Sequence, residues 1–105
     1  MRIYILRKSL SNLKEPIERR EYETTATTVR EFIVEMVKRN YKRRPIDCAL
    51  EECVQAAIDD FADGCVYIVN TTQNIRYSNL DESLRFCEDD EIMLVKLKYV
   101  RGIIW

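Results

Sequence analysis

The chain has no histidine, only two glycines and two prolines, and a single tryptophan among its 105 residues. Without histidine it lacks the side chain that most often serves as general base, activator of cysteine and metal ligand near neutral pH. The scarcity of glycine and proline argues against disorder and low complexity. Catalysis that depends on histidine is therefore excluded, and an ordered fold is expected.

Long apolar runs and an excess of one charge are also missing. No stretch approaches the roughly 20 apolar residues of a membrane-spanning helix. The opening segment Met1–Lys8 has too short an apolar part for a signal peptide. The 17 basic and 18 acidic side chains leave a net charge of −1, without the basic excess on which general nucleic-acid binding depends. We expect a cytoplasmic protein without membrane contact, and the charge disfavours a nucleic-acid partner.

The four cysteines, Cys48, Cys53, Cys65 and Cys87, contain no C-x-x-C pair. Structural zinc sites usually pair ligands that are two to four residues apart. Free thiols that act as small apolar side chains fit this spacing better. We therefore predict no metal, no cofactor and no disulfide.

No other group of residues indicates catalysis. Cys87 lies beside Glu88 and Asp89, whose negative charge disfavours the reactive thiolate. The carboxylate pairs Asp59–Asp60 and Asp89–Asp90 are neighbours in sequence, so their side chains do not converge on one substrate, and solvated surface is the expected role. The sequence predicts a protein that is not an enzyme.

At 105 residues the chain is expected to form one domain, residues 1–105. The alternation in Met1–Lys8 predicts a half-buried strand. Ile17–Thr25 is mostly charged and is typical of a strand at a sheet edge. These two segments are expected to form an N-terminal hairpin.

Two amphipathic helices are predicted next. Thr28 and Glu31 form a capping box, and the helix that follows runs to Arg44. Asp47 is expected to cap a second helix over about 47–63, with Gly64 at its left-handed C-terminal cap. In the first helix the apolar stripe that faces the core is formed by Val29, Phe32, Ile33, Met36 and Val37.

The C-terminal half reads mostly as strands. Cys65–Val69 is a continuous apolar run, typical of a strand buried on both faces. A turn and the short strand Ile75–Tyr77 follow. Leu80–Phe86 is expected to form one loose helical turn with Leu84 and Phe86 pointing inward. The final strand is predicted over Glu91–Val100.

The order of these elements is that of the ubiquitin-like β-grasp. Met1–Ile5 resembles a ubiquitin-like opening strand. Asp89–Ile92, the alternating strand after it and Arg101–Gly102 resemble the close of ubiquitin and of the sulfur-carrier proteins of thiamin and molybdopterin synthesis. The resemblance covers the chain except about 47–63, an inserted helix. It implies an α+β fold with a mixed sheet of four or five strands, its first and last strands parallel and adjacent, and one main helix across one face.

Two functions are compatible with this resemblance. The first is a non-catalytic module that binds another protein or a second copy of itself. Its surface is expected to comprise Arg2, Tyr4, Lys96 and Lys98 on the sheet face opposite the helix, together with the apolar residues Ile103, Ile104 and Trp105. The alternative is a ubiquitin-like or sulfur-carrier-like modifier, activated at Gly102 after removal of Ile103–Trp105. The families it resembles end in Gly-Gly, whereas this chain has one glycine there.

The densest charge feature is a basic run at the end of the first helix, Lys38, Arg39, Lys42, Arg43 and Arg44. It has two interpretations. It is either a grip for phosphate or an acidic partner, with Tyr41 available for stacking, or a solvated helix end stabilised by the helix dipole and by the acidic second helix. The near-neutral net charge favours the second interpretation.

Overall fold

The computed structural model describes residues 1–9, 18–43 and 49–97. These residues form an α+β structure with a five-stranded mixed sheet, as the sequence predicts. The strands are β1 (Arg2–Ser9), β2 (Glu18–Glu23), β3 (Val66–Asn70), β4 (Ile75–Tyr77) and β5 (Glu91–Lys96), and the helices are α1 (Val29–Arg43) and α2 (Leu50–Ala62). Within these ranges neither helix combines the length and the apolar character needed to cross a membrane.

The strand order in the sheet is β2-β1-β5-β3-β4. β1 and β5 pair in parallel, from Tyr4 opposite Glu91 to Ser9 opposite Lys96, and every other pairing is antiparallel. A parallel pair needs a long connection, which both helices and the three strands β2, β3 and β4 provide here. The predicted adjacency of the first and last strands is confirmed.

The core lies on one face of the sheet. Alternation along β1 turns Ile3 and Ile5 inward, and the register with β5 adds Ile92 and Leu94. The predicted stripe of α1 is confirmed, since all five of its side chains are buried. Residues Cys53, Ala57 and Phe61 of α2 belong to the same core.

The predicted capping box is present at the start of α1, with one difference. The Thr28 hydroxyl accepts the backbone N–H of Glu31 at 3.2 Å. The Glu31 carboxylate reaches past the cap residue and accepts both the backbone N–H and the hydroxyl of Thr27, each at 2.9 Å. The two side chains together satisfy backbone donors that the first helical turn leaves open.

The ends of α2 differ in how well the sequence predicts them. Gly64 has a φ of +74°, as the left-handed cap requires. The N-cap is Ala49, without a side-chain hydrogen bond, and the predicted cap Asp47 lies outside the described residues. Asp60, which the helical pattern assigns to the wet side, is buried, because it follows Ala57 by three residues and therefore flanks the inward stripe.

The segment Leu80–Phe86 is not the predicted helical turn. Its backbone instead bonds to the start of α1 and to the segment before it: Val29 N–H donates to the Glu82 carbonyl at 3.1 Å, and Leu84 N–H donates to the Thr27 carbonyl at 2.9 Å. The local bond from Glu82 N–H to the Asn79 carbonyl, at 3.2 Å, does not continue as a helix. The inward placement of Leu84 and Phe86 is confirmed, and Leu80 also packs against the core.

The prediction that Cys65–Val69 is buried on both faces is wrong. Within β3, Val66, Ile68 and Asn70 are buried, whereas Tyr67 and Val69 are half-buried. The difference arises because both helices contribute to a single core that lies on one side of the sheet. The continuous apolar run therefore supplies the core from one face of β3 and leaves apolar side chains on the other.

Candidate interaction surface

The face of the sheet opposite the core is called the open face here. Its members follow from the register: Arg2, Tyr4 and Leu6 alternate with the inward Ile3 and Ile5, and their partners on the neighbouring strands share their face. None of its apolar side chains belongs to the core cluster or packs against it. The open face comprises Arg19, Glu21, Glu23, Arg2, Tyr4, Leu6, Glu91, Met93, Val95, Tyr67, Val69 and Arg76.

The centre of the open face is apolar. Leu6 is in register with Met93, which is in register with Val69, so these three side chains form a row across β1, β5 and β3. Val95 and Tyr67 form the next row. Adjacent strands lie about 4.8 Å apart, so the first row is about 10 Å wide and the second about 5 Å. All five side chains are half-buried, and they form one continuous apolar patch.

Charged side chains border this patch, and most of them are paired. The Arg19 guanidinium lies 3.7 Å from the centre of the Tyr4 ring, and its Nε is 3.1 Å from Glu91. Arg2 Nη2 lies 2.8 Å from Asp89 Oδ1. Exposed pairs of this kind contribute little to stability, but they fix the rings and arginines at the border. The structure thus replaces the predicted basic and aromatic surface with an apolar centre and a charge-balanced rim.

At the other edge of the sheet, Arg76 completes the rim. Its guanidinium lies 3.6 Å from the centre of the Tyr67 ring, a cation–π contact that holds the aromatic ring in one orientation. Tyr67 and Tyr4 are therefore each held by an arginine. Between these two tyrosines lie the apolar side chains of the central strands.

The structure separates the residues that the sequence places together. Arg2 and Tyr4 lie on the open face as predicted. Lys96 does not, because it lies on the same face of β5 as the buried Ile92 and Leu94. It is also in register with the buried Val66. Residue Glu91 takes the position beside Tyr4 instead. The other predicted surface residues, Lys98, Ile103, Ile104 and Trp105, and the activation residue Gly102, lie outside the described residues.

Sequence reasoning missed the patch itself. Leu6, Met93, Val95, Tyr67 and Val69 are ordinary strand residues in the sequence, and nothing in their identity distinguishes them from core residues. The signal in the sequence that could have found the patch is the alternation of side chains along a strand. Residues that alternate with Ile3 and Ile5 must face away from the core. Which residues of β5 and β3 join them depends on the register between strands.

The basic run on α1 is exposed where the structure describes its side chains, at Lys38, Arg39 and Lys42. Arg39 lies over the Tyr22 ring, 4.1 Å from its centre. Among the described residues no salt bridge joins these three cations to the carboxylates of α2. Arg43 ends α1, and Arg44 lies outside the described residues.

A buried polar network fixes the start of β5. The side chain of Asp90 is 3 % exposed. A single carboxylate oxygen, Oδ2, accepts from Asn70 Nδ2 at 2.8 Å, from Gln73 Nε2 at 2.7 Å and from the Cys87 N–H at 2.8 Å. The pair Asp89–Asp90 is thus not wholly solvated surface as the sequence suggests: Asp89 is exposed at a φ of +67°, and Asp90 is buried.

Two opposing effects set the pKa of Asp90. Burial acts to raise it, but the hydrogen bonds from Asn70, Cys87 and Gln73 together outweigh burial, and the pKa is lowered from its ordinary value of 3.8. The carboxylate is therefore ionised at neutral pH, and its Oδ2 accepts from three donors of its own chain. The Asp90 carboxylate thus fixes the loop before β5. That loop carries Asp89, which pairs with Arg2 at the border of the open face.

The structure describes three of the four cysteines. Cys53 is buried in the core, as predicted, Cys65 is half-buried, and Cys87 is exposed with its sulfur 3.2 Å from Gln73 Nε2. Cys48 lies outside the described residues. Across the described ranges, no three or more cysteine, aspartate or glutamate side chains are grouped so that they would hold a metal ion.

The chain matches no family model, and comparison with curated proteins and with solved structures gives no match either. The class of the protein therefore rests on its own structure. It is an α+β protein with one core and a second, apolar sheet face that no described helix covers.

Proposed function

We propose that this chain is a non-catalytic protein-interaction module that binds a partner protein through the open face. The observation that carries the proposal is the apolar patch of Leu6, Met93, Val95, Tyr67 and Val69, bordered by paired charges. An apolar, charge-depleted centre within a polar rim is the usual anatomy of a protein–protein interface. The patch is half-buried, so part of its apolar surface stays in contact with water, and a partner would remove that surface from water.

The kind of partner follows from the rim. Its charges alternate in sign, with Arg19 beside Glu91 and Arg2 beside Asp89 and Glu21. Such a border fixes the orientation of a partner with a mixed rim of its own, rather than selecting a strongly acidic or basic one. Tyr67 and Met93 in the patch, and Tyr4 at its border, are residue types enriched at protein–protein interfaces.

The fold proposed for this module is a ubiquitin-like β-grasp with α2 as an insertion. The support is the order of elements, an N-terminal hairpin, a helix, a further antiparallel hairpin and a last strand that returns to pair in parallel with the first. Function does not follow from this fold alone. The proposal therefore depends on the open face.

Site-specific photo-crosslinking in the native cells tests the proposal. A crosslinking residue is placed at Val69 or Val95 on the open face, or at the exposed Glu51 of α2 as the control. We expect the same protein to be captured from both open-face positions and not from Glu51. Replacing Met93 with aspartate in the crosslinking chain should reduce the adduct at least about tenfold, because a carboxylate at the centre of the patch loses its hydration on binding.

The same experiment defines the contrary results. Adducts of similar yield from Val95 and Glu51, or no adduct from either open-face position, would remove the support for this surface. Adducts of the chain with itself would show that the open face binds a second copy of this chain and not a different protein. The melting temperature of the Met93→Asp variant must stay close to that of the parent chain, so that loss of the adduct reports the surface and not the fold.

A further inference from the structure

The sheet described here ends in two edge strands, and β2 is the longer of them. The strand order places β2 at one edge and β4 at the other. β2 has six residues and β4 has three. Arg19, Glu21 and Glu23 of β2 are exposed. An edge strand presents a row of backbone N–H and C=O groups with which another chain can pair.

The hydrogen bonds at the N-terminus show which backbone groups of β2 point toward β1. The Met1 amine donates to the Thr24 carbonyl at 3.2 Å, and the Thr24 N–H donates to the Met1 carbonyl at 2.9 Å. In an antiparallel pair of strands, residue pairs that exchange both bonds alternate with pairs that exchange none. Tyr22 and Arg20, which follow Thr24 at intervals of two, therefore also exchange bonds with β1.

The residues between them direct their backbone groups outward. Arg19, Glu21 and Glu23 lie in the pairs that exchange no bonds with β1, so their N–H and C=O groups point to the open edge of the sheet. The far side of β1 agrees with this alternation. Tyr4, opposite Glu21, donates its N–H to the Asp90 carbonyl at 2.9 Å, on the side of β5. Three residues of β2 can thus each exchange two bonds with an added strand.

The charges of β2 oppose pairing with a second copy of the chain. A two-fold axis that continues the open face across both copies places one residue of β2 opposite itself. Within Arg19–Glu23 every residue except Tyr22 is charged, so a register centred on any of the others sets like charges opposite each other. A register centred on Tyr22 sets Glu21 opposite Glu23 twice. Like charges directly opposite each other destabilise a strand pair.

We propose that the edge of β2 binds an extended segment of a partner protein, added antiparallel to β2 as a further strand. In this mode backbone hydrogen bonds provide affinity, and side-chain pairs provide specificity. Unlike charges result from basic residues opposite Glu21 and Glu23 and an acidic residue opposite Arg19. A neutral residue fits opposite Tyr22. From N- to C-terminus the segment reads basic, apolar, basic, neutral, acidic.

The side chains of this edge have contacts within the chain. Glu21 lies 3.7 Å from Arg2, Glu23 lies 3.3 Å from the N-terminal amine, and Arg19 lies 3.1 Å from Glu91. Exposed pairs of this kind are weak, so they leave the outward backbone groups as the main source of affinity and give the charges the role of selecting the register. The apolar patch includes no residue of β2, so this edge is independent of the proposed partner surface.

Titration of the full chain with a designed peptide, followed by the amide signals in NMR spectra, tests the edge. The probe is Thr-Lys-Val-Lys-Thr-Glu-Thr with blocked ends, in which the two lysines stand opposite Glu23 and Glu21. We expect saturable binding with a Kd below about 1 mM. The largest shifts should occur at the amides of Arg19, Glu21 and Glu23, because those N–H groups gain an acceptor.

Two methylated peptides of equal charge separate strand pairing from charge attraction. Methylation of the backbone nitrogen of the second lysine removes an N–H that faces β2, and it should weaken binding about tenfold or more. Methylation at the valine opposite Tyr22 alters an N–H that faces away from β2. It should leave the Kd within about twofold of that of the parent peptide.

A charge exchange tests the register. Glu21→Lys should weaken binding about threefold or more, and a peptide with glutamate in place of its second lysine should restore the affinity. The matched control is Glu51→Lys, an equal change of charge at an exposed position of α2, which should leave the Kd unchanged. The melting temperatures of both variants are measured alongside and should match the parent.

Three results would overturn the proposal. One is the absence of shifts at about 5 mM peptide. Another is an equal loss of affinity for the two methylated peptides, which would reduce binding to charge attraction. The third is a shift of the same three amides with chain concentration in the absence of peptide, which would assign the edge to a second copy.

Discussion

Replacing Phe32 with alanine is expected to lower the free energy of unfolding by about 3–5 kcal/mol. Phe32 is 0 % exposed and lies between two aromatic rings, edge-on to Tyr22 at 5.9 Å and to Phe86 at 5.4 Å. Truncation removes both ring contacts and leaves a cavity between α1, β2 and the segment before β5. A domain of this size has a total stability of about 5–15 kcal/mol, so the variant should be conspicuously labile.

Urea denaturation of the parent chain and of Phe32→Ala measures this loss. The control is Lys38→Ala on the same helix, an exposed position where we expect a change within about 0.5 kcal/mol. A loss below about 1 kcal/mol in Phe32→Ala would show that the aromatic cluster does not hold α1 against the sheet.

Removal of the Asp90 side chain is the second change with a large expected effect. Asp90→Ala should lower the free energy of unfolding by about 2–4 kcal/mol, because it leaves donors without an acceptor, foremost the Asn70 amide, which is 0 % exposed. Asp90→Asn keeps an oxygen in place but loses the charge, so it should lie between Asp90→Ala and the parent. The control Asp89→Asn alters an exposed neighbour and keeps a residue that tolerates a positive φ.

The order of the unfolding free energies of these three variants tests whether the buried Asp90 network stabilises the fold. Chemical denaturation should place Asp89→Asn nearest the parent, Asp90→Asn next and Asp90→Ala lowest. If Asp89→Asn proved as destabilising as Asp90→Ala, the ion pair of Asp89 with Arg2 would matter more than the buried network, against the small value of exposed ion pairs.

The pH dependence of stability follows from the same carboxylate. The folded-state pKa of Asp90 is lowered below 3.8, so the unfolded chain takes up a proton first as the pH falls. The contribution of Asp90 is therefore fully present above the unfolded pKa and is lost as the pH falls through the folded value. The difference in unfolding free energy between the parent and Asp90→Asn should be constant from pH 7 to about 5 and shrink below about 4. A difference that grew with acid would contradict this assignment.

Local signals in the sequence predict the secondary structure well where one segment suffices. The capping box at Thr28, the apolar stripe through Phe32 and the glycine at residue 64 each depend on neighbours within a few residues, and the structure contains all three. The parallel pairing of the first and last strands was also predictable, because the intervening chain is long enough for the crossover.

The features that matter for function depend on distant residues, and the sequence does not specify these pairings. Alternation places Lys96 with Ile92, but only the register shows that this parity is the inward one. In the sequence Asp90 looks like a residue of an exposed turn. Its buried role depends on a hydrogen bond from Asn70, which is 20 residues away.

The accessibility of the open face tests the central claim most directly. Methyl signals of the full chain can be recorded with and without a soluble gadolinium chelate, which broadens only signals near solvent. Val69 and Val95 are half-buried, whereas their sequence neighbours Ile68 and Leu94 are buried on the core face. We predict strong broadening of the Val69 and Val95 methyls and little of Ile68 and Leu94. Equal protection of all four would show that the chain covers this face itself, and would contradict its role as a partner surface.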